Sequence, residues 1–123
     1  MPAIGLDIID VTRIDKGIKR FGDKYIKRIL GPEELTLLET RRDKPQFVAG
    51  RFAAKEALVK ALGQFLKKRP ALQSLQILND HTGQPSFNLP VEVAKVLQGY
   101  QVLVSITHEK KMAAAMVVIS EEK

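Results

Sequence analysis

The 123-residue sequence predicts an α+β domain in which an antiparallel sheet packs against a long helix. Three observations favour this class. Strand-like and helix-like segments alternate in the order β-α-α-α-β-β-α-β-β, only residues 108–111 (HEKK) separate the last two strands, and one helical segment is much longer than the others. Strands joined by short connections pair antiparallel, and mixing such hairpins with helices is typical of α+β domains.

The first third of the chain predicts one strand and two or three helices. Residues 2–9 (PAIGLDII) are apolar and β-branched and predict a buried strand, after which Thr12 is a candidate helix cap. Residues 12–30 have helical periodicity, and Gly22 either kinks this helix or splits it. A short helix then runs from Pro32 to about Thr40. The predicted apolar face of the first helical segment contains Ile14, Ile18, Phe21, Tyr25 and Ile29.

The rest of the chain begins with the longest predicted helix, at residues 46–66, which follows a polar loop at 41–45. Its predicted apolar face contains Val48, Phe52, Val59, Leu62 and Phe65. Strands are predicted at 75–78 and 85–89, joined by a turn-rich loop (NDHTGQ), and a short helix at about 91–98. The two clearest strands are residues 101–107 and 112–119.

Composition limits the class of protein. Hydrophobic residues make up 45% and charged residues 28%, which is typical of a globular domain, and no apolar run approaches the ~20 residues that span a bilayer. The first ten residues carry acids where a signal peptide would be basic. The absence of cysteine excludes disulfides and thiolate metal sites. We expect one cytoplasmic domain over residues 1–123, without a membrane partner.

The positive charge is concentrated in one half of the chain. Residues 1–69 hold 16 Lys and Arg against 9 Asp and Glu, whereas residues 70–123 hold 4 against 5. Five basic residues also share one predicted helix face, which we call the basic stripe: Arg13, Lys16, Arg20, Lys24 and Lys27. Such a distribution favours an acidic partner, although a solvated helix face that only keeps the protein soluble would look the same.

Two segments place charges where core residues are expected. Asp7 interrupts the first apolar strand, so it is either a strand-end acid that caps a turn, a role for which Asp10 is better placed, or a metal ligand. Glu56 and Lys60 are four residues apart and share one helix face, so they form either a surface ion pair or a site for a cation and a phosphate. Glu56 lies close to the Phe52 face, whereas Lys55 is expected to face solvent.

The strand end at residues 105–108 (SITH) contributes a candidate polar group, His108, at a position that commonly lines a cleft, although a lone histidine of this kind is more often a structural hydrogen-bonding group than a catalytic one. Neither a G-x-x-x-x-G-K-[ST] nor a G-x-G-x-x-G phosphate motif occurs in the sequence. Phosphate chemistry would therefore depend on Mg²⁺ held by separate carboxylates.

Three stretches together resemble one family. IGLDIIDVTRI (4–14), GRFAAKEALVKAL (50–62) and VSITHEKKMAAAMVV (104–118) are similar to the motifs of the holo-acyl-carrier-protein synthases, the small bacterial 4′-phosphopantetheinyl transferases. TGQP (82–85) resembles a turn of the same family. The resemblance covers nearly the whole chain in the expected order and implies a phosphopantetheinyl transferase-like fold and a homotrimer.

The resemblance also implies roles for individual residues. Asp7 and Glu56 match the magnesium ligands, Lys60 a lysine that contacts the coenzyme A phosphates or assists proton transfer, and His108 a residue that contacts bound coenzyme A. Arg13 matches a basic residue that docks the acidic acyl carrier protein, and Arg20 and Lys24 are further docking candidates because they belong to the basic stripe. Arg51 is a candidate for reaching the cofactor, and Arg42 and Lys44 are candidates for its 3′-phosphate.

The implied reaction is Mg²⁺-dependent transfer of 4′-phosphopantetheine from coenzyme A to a carrier-protein serine, with release of adenosine 3′,5′-bisphosphate, as fatty acid biosynthesis requires. The base is either Glu56 or a water that it holds with the metal. A non-enzymatic nucleic-acid-binding domain would also explain the basic stripe, but it leaves Asp7 and Glu56 unexplained because carboxylates repel phosphates. A purely structural trimer module explains the short apolar strands and none of the polar motifs.

Overall fold

A computed structural model describes residues 2–122 of the chain and confirms the predicted α+β class. The helices are α1 (Val11–Phe21), α2 (Asp23–Ile29), α3 (Pro32–Leu38), α4 (Lys44–Ala61) and α5 (Val91–Val96). The strands are β1 (Ala3–Asp10), β2 (Gln76–Asn79), β3 (Pro85–Asn88), β4 (Tyr100–His108) and β5 (Met112–Glu121). Two 3₁₀ turns, Leu62–Gln64 and Leu72–Ser74, lie between α4 and β2.

The main sheet has three antiparallel strands in the order β1-β5-β4, and β2 and β3 form a separate hairpin. The first and last strands of the chain therefore meet, with Asp7 opposite Ala115. Helix α4 packs across one face of the main sheet, against β1 and β5. A buried layer of small and branched side chains, such as Ala57 and Val117, forms the core between them.

Strand β1 is buried on one face only, which corrects the expectation of a fully buried strand. Its inward residues Ala3 and Ile9 are 8% and 4% exposed, whereas Ile4, Leu6 and Ile8 are 62–64% exposed. This alternation is that of a strand whose sheet has one face free of its own core. Asp7 belongs to the inward set and is partly buried, so it points towards the side of the sheet that α4 covers.

Helix α1 begins after a different cap from the predicted one. The Asp10 side chain accepts a hydrogen bond from the Thr12 backbone N–H at 2.8 Å, so Asp10 is the cap and Thr12 lies inside the helix. Gly22 has φ of +64°, a conformation that favours glycine, and it separates α1 from α2. The predicted helix over 12–30 is therefore split, and Phe21, predicted on the apolar face, is 57% exposed.

Helix α4 is buried almost all round, and this reverses the prediction for Lys55. Ten of its residues are buried, among them Arg51 and Lys55, and Lys55 is 0% exposed. Phe52, Glu56 and Val59 are only partly buried, whereas Val48 and Leu62 from the predicted apolar face are buried, so that face is covered only in part. A helix covered on several sides must bury some polar positions, and the predicted solvent-facing Lys55 is one of them.

Candidate active site

A close backbone approach positions the first candidate residue. A Cβ atom on Gly5 would lie 1.7 Å from the Ala57 carbonyl oxygen, so only glycine allows β1 to lie this near α4. Asp7 follows Gly5 by two residues and points to the same side of the strand, while Glu56 precedes Ala57 on the helix. The two carboxylates predicted as metal ligands are thus carried by two elements in direct backbone contact.

Asp7 and Lys60 form an ion pair between the strand and the helix. Lys60 Nζ lies 3.1 Å from Asp7 Oδ1 and donates to the Leu6 carbonyl at 2.8 Å. The Asp7 side chain is 18% exposed and that of Lys60 is 56% exposed, so the pair is open to solvent on the lysine side. Because Lys60 lies one turn after Glu56 on the same helix face, this contact places Asp7 beside that face.

Glu56 has a partner that the sequence did not indicate. Its carboxylate forms an ion pair with the guanidinium of Arg69, from the loop between the two 3₁₀ turns, and not with Lys60, which was one of the two alternatives that the sequence left open. The Glu56 side chain is 18% exposed and that of Arg69 is 57% exposed. The site therefore contains two carboxylates, each neutralised by a cation from another part of the chain.

The donor set fits a hard divalent cation. Among residues 2–122 no group of three or more His, Asp or Glu side chains could hold a metal ion, so the chain offers two carboxylates here. Mg²⁺ is typically bound by one or two carboxylates, with waters and substrate phosphates as its other ligands. Asp7 and Glu56 are both partly accessible, which leaves room for those ligands.

A cavity of about 220 Å³ lies at the first half of α4, and it brings together two of the predicted cofactor contacts. Arg51 and His108 both line it, together with Phe47 and Arg41. The guanidinium groups of Arg51 and Arg41 lie 4.4 and 5.0 Å from the centroid of the Phe47 ring. The cavity thus combines cations with an aromatic ring, a surface suited to an anionic ligand that has a planar part.

Two other candidates for phosphate contacts lie outside this cavity. Arg42 is exposed in the loop before α4 and does not line the cavity, whereas its neighbour Arg41 does. Lys44 donates to the Leu38 carbonyl at 3.3 Å and lines a different depression, between α2 and α3. The structure therefore brings Arg51 and His108 together but does not bring Arg42 or Lys44 to them.

A buried network holds Arg51 in place. Glu34, which is 0% exposed, accepts from Lys55 Nζ at 2.5 Å and from the Ile77 backbone N–H at 3.0 Å. Arg51 Nε lies 3.7 Å from the second Glu34 oxygen, and its Nη2 donates to the Ile77 carbonyl at 3.2 Å. Burial lowers the pKa of both Arg51 and Lys55, and the Glu34 charge opposes that change.

The basic stripe is exposed as predicted. Arg13, Lys16 and Arg20 lie on the surface of α1, and Lys24 and Lys27 continue on α2 after the break at Gly22. Within the stripe, the Arg20 guanidinium lies 5.2 Å from the centroid of the exposed Phe21 ring. A depression of about 310 Å³ between the two helices is lined by Phe21, Lys24, Tyr25 and Arg28.

Comparisons with known proteins define the class to which this fold and site belong. Residues 3–116 match the family described as the 4′-phosphopantetheinyl transferase superfamily. The chain is 40% identical over 116 residues to a holo-[acyl-carrier-protein] synthase of Pelodictyon phaeoclathratiforme, which covers 94% of this chain and 96% of the relative. The chain therefore belongs to the phosphopantetheinyl transferase superfamily and, within it, to the holo-acyl-carrier-protein synthase family.

Solved structures agree with this assignment. The holo-[acyl-carrier-protein] synthase of Neisseria meningitidis superposes with a TM-score of 0.87 at 34% identity, covering 97% of this chain and 98% of that one. The Bacillus anthracis enzyme, solved in complex with CoA (3′,5′-ADP), gives 0.80 at 34% identity, covering 98% and 96%. The chain is thus an enzyme of the phosphopantetheinyl transferase class with the family's fold.

Three residues at the site were missed in the sequence: Glu34, Arg41 and Arg69. Glu34 looked like an ordinary acid at a helix start, where it suits the helix dipole. Arg41 differs from Arg42 only by its position in a loop, and Arg69 stands in a basic run, residues 67–69, whose fold no periodicity predicts. The one sequence signal for the buried partner of Lys55 was Lys55 itself, because the neighbouring residues are all small or apolar: Ala53, Ala54, Ala57 and Leu58.

Proposed function

We propose that this protein transfers 4′-phosphopantetheine from coenzyme A to a serine of an apo-acyl carrier protein, with Mg²⁺, and releases adenosine 3′,5′-bisphosphate. The observation that carries the proposal is the meeting of Asp7 and the Glu56–Lys60 face across the contact of β1 with α4. Similarity supports the substrates, because relatives carry the name holo-[acyl-carrier-protein] synthase and one neighbour was solved with CoA (3′,5′-ADP).

The reaction exchanges one phosphorus–oxygen bond for another. The carrier serine oxygen attacks the phosphorus that bears pantetheine, the bond to the bridging oxygen breaks, and the adenosine bisphosphate leaves with that oxygen. Such transfers need positioning and charge neutralisation more than covalent help. Mg²⁺ held by Asp7 and Glu56 would neutralise charge that develops on the diphosphate oxygens. Lys60 lies beside Asp7 and supplies a further positive charge, and Glu56 or a water that it holds accepts the serine proton.

The nucleotide end of coenzyme A is proposed to bind in the cavity at the first half of α4. Arg51 lies five residues before Glu56, which is about 7.5 Å along a helix axis. The same five residues turn the helix by about 140°. A ligand with its diphosphate at Glu56 would therefore have to pass around α4 to bring its nucleotide to Arg51 and His108, where Arg41 and the Phe47 ring also lie. The basic groups suit a phosphate and the aromatic ring suits a planar base.

The acyl carrier protein is proposed to dock on the basic stripe. Its acidic surface is complementary to Arg13, Arg20 and Lys24, which steers the encounter and sets orientation. The exposed Phe21 ring, stacked at 6.4 Å from the Tyr25 ring, adds an apolar contact within this charged surface. Arg13 is the member nearest in the chain to Asp7, so it orients the serine towards the site.

The exposed face of the main sheet is proposed to form the subunit interface of a homotrimer. This outer face carries an apolar patch that the chain's own core does not cover: Ile4, Leu6, Ile8, Leu103 and Met116, each 46–64% exposed. Leu6 and Ser105 both pair with Met116 across the sheet, so the patch is continuous over all three strands. Contiguous apolar surface marks an interaction site, and another copy of the chain is the proposed occupant. Light scattering of Leu6→Asp should give monomers.

Intact-mass measurement of the carrier tests the proposal. Incubation with apo-carrier, coenzyme A and Mg²⁺ should add one phosphopantetheine per carrier chain, and an unchanged mass under these conditions would exclude the proposed activity.

Glu56→Ala should reduce the rate of transfer at least about a hundredfold, because one charge-stabilising ligand of the transition state is lost. The matched control Glu92→Ala, an exposed acid on α5, should transfer normally. A normal rate for Glu56→Ala would remove Glu56 from the site.

The competing proposal, nucleic-acid binding, predicts a different result. A basic domain of this kind would bind many sequences with an affinity that falls steeply with salt. The basic stripe and the depression beside it are exposed in the structure, so such binding is sterically open. The carboxylate pair at the contact of β1 with α4 has no role in it, and the catalytic proposal is therefore preferred. The cytoplasmic location expected from the sequence stays a prediction.

A further inference from the structure

Each carboxylate of the site forms an ion pair with one cation: Asp7 with Lys60 and Glu56 with Arg69. The two carboxylates of Asp7 and Glu56 are cancelled by the two cations, so the site as it stands has no net charge. A divalent cation that took both carboxylates would release Lys60 and Arg69 and leave the site with two excess positive charges. That excess equals the charge of a diphosphate diester, which carries one negative charge on each phosphate.

We propose that Arg69 is an exchangeable counter-charge: it holds Glu56 before a divalent cation binds and then transfers to the diphosphate of the anionic ligand. This inference rests on the proposed function, because it assumes the metal and diphosphate site at Asp7 and Glu56. Arg69 lies outside the three stretches that resemble the family motifs, at residues 4–14, 50–62 and 104–118.

The position of Arg69 permits such an exchange. It comes from the loop between Gln64 and Leu72, and its side chain is 57% exposed, so it can turn without disturbing the core. The same loop encloses a cavity of about 150 Å³ that Val59 lines one turn after Glu56. An arginine that leaves Glu56 therefore remains beside the helix face on which Glu56 and Lys60 lie. Its planar guanidinium can contact two phosphate oxygens together.

The proposal separates Arg69 from its neighbours in the loop. Lys67 and Lys68 line the same cavity and are exposed, but no ion pair to Glu56 is found for either in the described chain. General attraction to an anion would come equally from all three cations. Competition with a metal for Glu56, by contrast, is a property of Arg69 alone, so Lys68 is a matched control of the same charge in the next position.

The test measures binding without turnover, using Arg69→Gln, Lys68→Gln and the wild type. With Mn²⁺ alone, followed by electron paramagnetic resonance, Arg69→Gln should bind about three- to fivefold more tightly than wild type, because a competing surface ion pair has been removed. Lys68→Gln should match the wild type. Equal Mn²⁺ affinities for all three proteins would contradict the competition.

Calorimetry with coenzyme A, in the presence and absence of Mn²⁺, tests the transfer. The factor by which Mn²⁺ tightens coenzyme A binding should fall roughly tenfold in Arg69→Gln, since one charged hydrogen bond to phosphate is lost only in the metal-bound state. Lys68→Gln should keep the wild-type factor, and Arg69→Lys should restore much of it. An unchanged factor in Arg69→Gln overturns the proposal.

The two levels of the proposal fail in different ways. If the wild type binds neither Mn²⁺ nor coenzyme A, the proposed function and this inference fall together. If the wild type and Lys68→Gln bind both ligands with strong coupling and Arg69→Gln does the same, only the role of Arg69 is excluded. Thermal unfolding of each variant confirms that its fold is intact, as expected for substitutions of exposed side chains.

Discussion

Two groups of charges meet at helix α4 and differ in exposure and in hydrogen bonding. The sealed group consists of Glu34, Lys55 and Arg51, which are 0%, 0% and 7% exposed. The open group consists of Asp7, Lys60, Glu56 and Arg69, where both basic side chains are more than half exposed. Lys55 and Glu56 are adjacent in the chain, yet one belongs to each group.

The difference shows how one helix can serve both stability and chemistry. In the sealed group, both Glu34 oxygens accept hydrogen bonds, from Gly31, Ile77 and Lys55, whereas Arg51 Nε is buried without a hydrogen-bond partner among residues 2–122, so the group is closed to solvent but not fully hydrogen-bonded. It joins α3, α4 and β2 and leaves no position for a ligand at Glu34. In the open group, each carboxylate has one charged partner, which a ligand can replace. Breaking the Glu34–Lys55 pair of the first group should cost stability, and breaking the second group should change binding. Arg51 belongs to the first group and also lines the proposed cofactor cavity.

The largest expected effect is on stability, from Lys55→Met. This variant leaves the buried Glu34 carboxylate without its lysine, which should reduce the free energy of unfolding by about 3–5 kcal/mol. Lys60→Met in the open group should reduce it by less than about 1 kcal/mol. Urea unfolding followed by circular dichroism measures both variants under the same conditions. Losses of similar size in the two variants would mean that the sealed group is not energetically distinct.

Lys55 and Glu56, which are adjacent in the chain, show how much of this comparison can be predicted from the sequence. Spacing relates Glu56 only to Lys60, and the pairing of Glu56 with Asp7 as metal ligands is what the resemblance to the family implies; it stays a prediction. Lys55 was assigned to solvent, because Phe52 appeared to mark the core-facing side of α4. The error arises from tertiary structure: α4 is covered by the sheet on one side and by α1, α2 and α3 on others. Helical periodicity cannot show how many sides of a helix are covered.

Long-range partners were equally beyond prediction from local pattern. Glu34 pairs with a residue 21 positions away, and Arg69 with one 13 positions away, through loops of no regular period. The strands were predicted within one to two residues, because alternation and turn residues are local signals. The trimer and the metal rest on the resemblance and the exposed sheet face, and both stay predictions.

An intermediate effect is expected from double-mutant cycles in the two groups. Glu34→Gln combined with Lys55→Met removes both charges of the buried Glu34–Lys55 pair together, so the double variant should lose less stability than the two single variants summed, by about 1–3 kcal/mol. The corresponding cycle of Asp7→Asn and Lys60→Met should give a coupling energy below about 1 kcal/mol. Equal coupling in the two cycles would show that burial does not separate the groups.

The smallest expected effect is on the pH dependence of stability. Burial lowers the pKa of Lys55 below its ordinary value of 10.5, although the Glu34 charge opposes this. Between the folded-state pKa and 10.5 the unfolded chain therefore binds more protons than the folded one, and stability attributable to Lys55 rises with pH. The free energy of unfolding of the wild type, relative to that of Lys55→Met, should increase by less than about 1.4 kcal/mol per pH unit as the pH approaches 10.5. If the difference between wild type and Lys55→Met instead shrinks towards alkaline pH, the Glu34 charge outweighs burial at Lys55, and the sealed group is held mainly by its ion pair.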